Sequence, residues 1–159
     1  MKLDDITIST DGVNWEKCLG HWLWLLNKSP EFTIYLVTKF AELLLIDNDG
    51  CIWFLSTSGG SYEKVANSET EFFELIADEE EFDFYFMPQV IDLLTNNGLS
   101  LKHGDCFGFI TPSIFAECEF ETSNFKVTST ESYLIGLGDM LGSLQETKNG
   151  DKVTFNVVS

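Results

Sequence analysis

The sequence predicts an α+β fold: an antiparallel or mixed sheet, a meander joined by C-terminal strands, packed against several helices. Three observations predict it. Residues 33–65 read as short β-rich runs punctuated by tight-turn signals. Helical patterns lie before, between and after the strands rather than alternating with them one for one. At 44% hydrophobic over 159 residues, the chain can bury a continuous core without metals or disulfides.

In chain order, Trp15 to Leu26 reads as the first helix, with Asn14 as cap and Trp15, Leu19, Trp22, Leu23 and Leu26 at helical spacing. Its three tryptophans are assigned to the core. Thr33 to Val37 and Ala41 to Ile46 read as strands. Asp47-Asn48-Asp49-Gly50 is a hairpin turn into the partner strand Cys51 to Ser56. Ser58-Gly59-Gly60 turns again into a short strand, Tyr62 to Val65. Asn67 or Ser68 caps a helix from Glu69 to Ala77, with Glu71 placed for a capping box. A second helix spans Glu79 to Asn96, capped by Asp78 and ended by Gly98. Pro88 must kink it or split it near Phe86 and Met87. Asp105 to Ile110 is a strand that Pro112 ends, 113–124 is loop or short strand, and Phe125 to Val127 pairs at an edge. Ser129 or Thr130 caps a last helix from Glu131 to Glu146. Its glycines at 136, 138 and 142 predict close packing of that face on the sheet. Asn149-Gly150 leads into a final strand, Lys152 to Val157.

Composition narrows function. The chain carries 26 Asp and Glu against 9 basic residues, a formal net charge of −17, and every basic residue is Lys. Without Arg, the usual fork for phosphate, this charge argues against nucleic-acid binding and phosphoryl transfer, and favours basic protein partners. No apolar run approaches the roughly 18 residues that cross a bilayer, and the N-terminus MKLDDITIST reads as neither signal nor transit peptide. The expectation is a cytoplasmic protein without membrane contact. Cys18, Cys51, Cys106 and Cys118 show no C-x-x-C spacing, so they read as reduced cysteines, mostly buried.

Candidate chemistry is sparse. Cys18 and His21 are one helical turn apart, but their apolar surroundings favour a structural histidine. His103, Asp105 and Cys106 are adjacent in sequence, which does not make a triad; Lys102-His103-Gly104 reads as a turn. The Asp47 loop has Cys51 and Ser58 where a calcium loop needs oxygen ligands. No glycine-rich phosphate loop is present. The expectation is a binding protein, not an enzyme, with no cofactor and no metal. Its candidate contact residues are two acidic patches. In the first, Asp78, Glu79, Glu80, Glu81 and Asp83 interleave with Phe82, Phe84, Tyr85 and Phe86. In the second, Glu117, Glu119 and Glu121 alternate along ECEFET and, if extended, share one face.

Residues 30 to 158 carry a further pattern. LLLIDNDGCIWFLSTSGGSYEKVANSETEFFELI, LKHGDCFGFITPSIF and SNFKVTSTESYLIGLGDMLGSL together resemble the immunity proteins of bacterial type VI secretion systems, specifically the C-terminal immunity domain of partners of DNase effectors. The matching positions are Gly104 to Phe109 with Pro112, then Asn124 and Phe125, then Gly138 and Asp139. The chain departs from the family at Ala116-Glu117, where a Gly-Gly pair is usual, and it has a short helical lead-in over 1–29 where longer members carry an N-terminal domain. The resemblance implies a single immunity-type domain over 1–159. It implies a cytosolic antitoxin that binds a cognate secreted toxin, a nuclease, and occludes its active site or substrate groove. The competing expectation is a regulatory or scaffold module for a non-toxin protein.

Overall fold

A computed structural model of the chain describes residues 2–115 and 121–145. Two helical pieces come first, α1 (Trp15–Gly20) and α2 (Leu23–Leu26). Four strands follow: β1 (Phe32–Val37), β2 (Leu43–Asp47), β3 (Ile52–Ser56) and β4 (Ser61–Ala66). Then come α3 (Glu69–Ile76), α4 (Glu79–Phe86) and α5 (Pro88–Asn96), β5 (Asp105–Phe109), β6 (Phe125–Ser129) and α6 (Thr130–Ser143). The fold is the α+β arrangement expected: β1 to β4 form an antiparallel meander in chain order, and β5 and β6 a separate antiparallel pair.

Alternation along the strands decides which helices cover which face. Leu44 pairs with Phe54 and Ile46 with Ile52 across β2 and β3, and these side chains join the core under α3, α4 and α5. Their neighbours Leu43, Leu45, Trp53 and Leu55 point the other way, into a second core with α1, α2 and α6. Both faces of the meander are therefore covered, which is why β2 and β3 read as nearly continuous apolar runs. The β5–β6 pair is tied to the meander where Phe107 N donates to Lys39 O at 2.8 Å.

The hairpin after β2 forms as its turn residues require. Gly50 adopts φ +84°, and Gly50 N donates to Asp47 O at 3.1 Å. The Asp47 carboxylate accepts from Asp49 N (2.9 Å), Cys51 N (3.0 Å) and Trp53 Nε1 (2.9 Å). The Trp53 bond, with those backbone donors, holds this carboxyl below its usual range. A depressed folded-state value means the contribution is present above the unfolded value and is lost as pH falls through the folded one. Asp47→Ala should therefore lower the melting temperature at neutral pH, and its deficit relative to wild type should shrink as the melt is repeated at progressively lower acidic pH.

The Pro88 expectation holds as a split. Met87 takes φ +46°, ψ +53°, and its N–H bonds back to Asp83 O before Pro88 starts α5. The first helix differs from expectation. It breaks after Gly20, and the backbone leaves helical geometry at Trp22. Asn14 does cap α1, accepting from Lys17 N at 3.1 Å. The break turns the Trp22 indole under α6, where it is fully buried and donates to Leu134 O at 3.0 Å. Burying a side chain of this size contributes roughly 2–3 kcal/mol, more than continuing one helix through Gly20. Leu23, expected on the apolar stripe, is thereby left 59% exposed.

Gly138 and Gly142 of α6 do allow close packing, but against these tryptophans and not the sheet, while Gly136 faces open space. A Cβ on Gly138 would lie 2.8 Å from both His21 O and Trp22 Nε1, and one on Gly142 would lie 2.9 Å from Trp24 Cδ1. Ser129 is the α6 cap, accepting from Ser132 N at 3.3 Å. The expected strand Lys152 to Val157 lies outside the described residues.

Candidate functional site

The first acidic patch is built by two consecutive helix starts. Ser68 caps α3 by accepting from Glu71 N (3.1 Å), and Asp78 caps α4 by accepting from Glu80 N (3.0 Å) and Glu81 N (3.1 Å). The partial positive charge at the start of α4 stabilises Glu79, Glu80 and Glu81 in its first turn, which offsets part of their mutual repulsion. From Val65 to Leu101 the chain holds nine carboxylates and no basic residue. Among the described residues the one lysine–carboxylate ion pair joins Lys17 to Glu131, and His21 Nδ1 meets Asp139 Oδ1, so no described ammonium pairs with this face.

The five expected contact residues of this patch play unequal parts. Asp78 is committed to its cap, and Asp83 accepts from Gln89 Nε2 at 3.0 Å. Glu79 and Glu80 are exposed, and Glu81 is half-buried. Of the second patch, Glu117 and Glu119 lie outside the described residues. Glu121 is exposed just before a short 3-10 turn, Thr122–Asn124. The extended geometry expected for ECEFET therefore lies mostly outside the described residues.

The sequence shows aromatics interleaved with this face but not which of them stay exposed. Phe82, Tyr85 and Phe86 turn inward at helical spacing, and Phe72 does so from α3. That spacing leaves Phe84 64% exposed and Phe73 48% exposed. The helical wheel of 79–86 holds the signal: three inward aromatics fill one face, and the fourth must point out.

The other candidate groups are differently employed. His21 Nδ1 meets Asp139 Oδ1 at 2.6 Å instead of coupling to Cys18, whose buried thiol is pushed up to about 11, chiefly by burial. Cys106 is fully buried and its thiol is pushed up to about 12 by burial, so it is a poor nucleophile. His103 is exposed, and Asp105 accepts from Lys102 N at 3.1 Å, closing the turn expected there. Among the described residues no three His, Cys, Asp or Glu side chains converge as a metal site, and no helix is long and apolar enough to cross a membrane. An open depression of about 480 Å³ is lined by Asp5, Lys39, Pro88, Ile91, Asp92 and Thr95, and none of the acidic-patch residues above lines it.

One buried acid escaped the sequence reading, which placed it inside a strand. Glu42 is 4% exposed just before β2. Its carboxyl accepts from Thr57 N at 2.5 Å and Ser58 N at 3.3 Å, and makes a short contact with the Ser58 hydroxyl. Burial raises its pKa; the bonds from Ser58 and Thr57 offset this only in part. The polar cluster also includes Thr38, whose hydroxyl accepts from Phe40 N and Glu42 N, and Ala41, held at φ +60°. This cluster ties the β1–β2 turn to the β3–β4 turn and faces the interior, so its work is structural.

The described residues offer an acidic, partly aromatic surface and no assembled nucleophile among them. No protein-family model matches the chain, and no curated protein is recognisably similar to it in sequence.

Proposed function

We propose that this chain is a cytoplasmic antitoxin that binds a basic secreted toxin, of nuclease type, and neutralises it by covering its active site or substrate groove. The observation that carries the reading is the α3–α4 face: a run of carboxylates with no ion pair among the described residues, on an Arg-free chain of net charge −17. A nuclease presents a positive surface to the phosphate backbone, and a dense carboxylate surface is complementary to it. The motif resemblance to type VI immunity proteins supports the same class. In this reading the chain acts by binding and turns over no substrate. Electrostatic complementarity chiefly accelerates the encounter and excludes wrong partners.

The test is co-expression with the neighbouring reading frame. That frame alone should arrest growth, and this chain should restore it while forming a stoichiometric complex. A harmless neighbour, or one whose toxicity this chain leaves intact, would sink the proposal. Within the complex, the triple variant Glu79→Lys, Glu80→Lys, Glu81→Lys should associate roughly tenfold or more slowly, and added salt should slow the wild type more than the variant. Stopped-flow mixing at two ionic strengths measures both.

A further inference from the structure

Among the described residues Phe84 is the most exposed of the large hydrophobic side chains, and folding has no use for that exposure. The inward face of α4 is already filled by Phe82, Tyr85 and Phe86. The Phe84 ring is nevertheless held in place. It lies 6.2 Å from the Phe54 ring and 5.1 Å from the Tyr85 ring, both edge-on. Ring contacts continue from Tyr85 to Phe72 and on to Phe73, whose outer part is again in solvent. Carboxylates border Phe84 on two sides. Glu80 and Glu81 lie one turn back on α4, and Glu63 is the cross-strand partner of Phe54.

We propose that Phe84, supported by Phe73, is the apolar anchor of a docking face, and that its occupant is a protein surface with an apolar recess rimmed by Lys or Arg. The proposal rests on the antitoxin reading and deepens it by naming the residue that holds the complex together. Charge complementarity selects the occupant: the border of Phe84 offers carboxylates from two elements, with no ion pair of their own among the described residues. A rim of that kind speeds association but adds little to lifetime, whereas a desolvated aromatic in a pocket governs dissociation. Because its ring is already held by Phe54 and Tyr85, Phe84 loses little freedom on binding.

The test measures binding kinetics of the purified product of the neighbouring reading frame against four forms of this chain. Phe84→Ala should dissociate roughly 30-fold faster or more, with its association rate and salt dependence unchanged. Glu80→Gln with Glu81→Gln should associate more slowly and dissociate at nearly the wild-type rate. Leu23→Ala removes a comparably exposed apolar side chain from the helices on the opposite face of the sheet, and should match wild type in both rates. Phe84→Leu, which keeps apolar contact with Phe54, should lie between wild type and Phe84→Ala, and it serves if Phe84→Ala melts early. A complex whose dissociation ignores both Phe84 variants overturns the anchor and leaves the antitoxin reading standing. If wild type forms no complex at all, both fall together.

Discussion

Glu42→Ala should lower the melting temperature by roughly 5–15 °C. The substitution strips the acceptor from Thr57 N and Ser58 N, both inside the turn cluster. An orphaned buried donor costs about 1–3 kcal/mol, and because Ser58 N is only part-buried the pair costs about 2–4 kcal/mol; a domain of this size shifts by about 2–4 °C for each kcal/mol. Glu42→Gln isolates the proton. Burial raises the folded-state pKa of Glu42 above its ordinary value of 4.5. Between those two values the folded chain keeps a proton that the unfolded chain releases. The stability it contributes is complete below the unfolded value and declines as pH rises through the folded one. Wild type should therefore exceed Glu42→Gln by most at acidic pH, and the gap should close or reverse as pH rises. Melts of both proteins from pH 4 upward measure the difference, in which the many surface carboxylates cancel. A gap that widens with pH would mean that Glu42 is buried as a carboxylate.

Two alanine substitutions two residues apart in α6 should have opposite signs. Gly138→Ala places a methyl group 2.8 Å from His21 O and from the Trp22 indole nitrogen. One of these atoms is backbone and the other belongs to a fully buried ring that donates to Leu134 O. Neither can yield without breaking the α1–α2 joint or that hydrogen bond, so a loss of about 2–4 kcal/mol is expected. Gly136→Ala meets nothing within 4 Å and replaces the least favourable ordinary helix residue, so a gain of about 0.5–1 kcal/mol is expected. Denaturant titration of the two variants side by side checks both signs. Equal effects would show that helix propensity, and not contact with the tryptophans, sets the role of the α6 glycines.

Local rules made much of this fold legible. The Asp47 to Gly50 turn, the caps at Asn14, Ser68, Asp78 and Ser129, and the split before Pro88 each depend on neighbours within a few residues. The carboxylate run of α3 and α4 was equally visible, because the lack of any Lys or Arg from Val65 to Leu101 is a property of the string. The break after Gly20 was not. A continuous stripe from Trp15 to Leu26 satisfies helical periodicity, and only the pocket beneath α6 makes it better to stop and turn Trp22 inward. Nor was Glu42 recognisable as a buried acid, since the N–H groups that donate to it come from the turn just after β3.

The amino-acid order by itself determined the α+β class, the meander, the helix starts and the sign of the surface, because each follows from turn chemistry, alternation, capping and net charge. Tertiary structure decided which carboxylates remain free, which aromatic stands exposed among them and what the α6 glycines pack against. Those outcomes depend on contacts between segments far apart in the chain, where burial and close packing outweigh local preference.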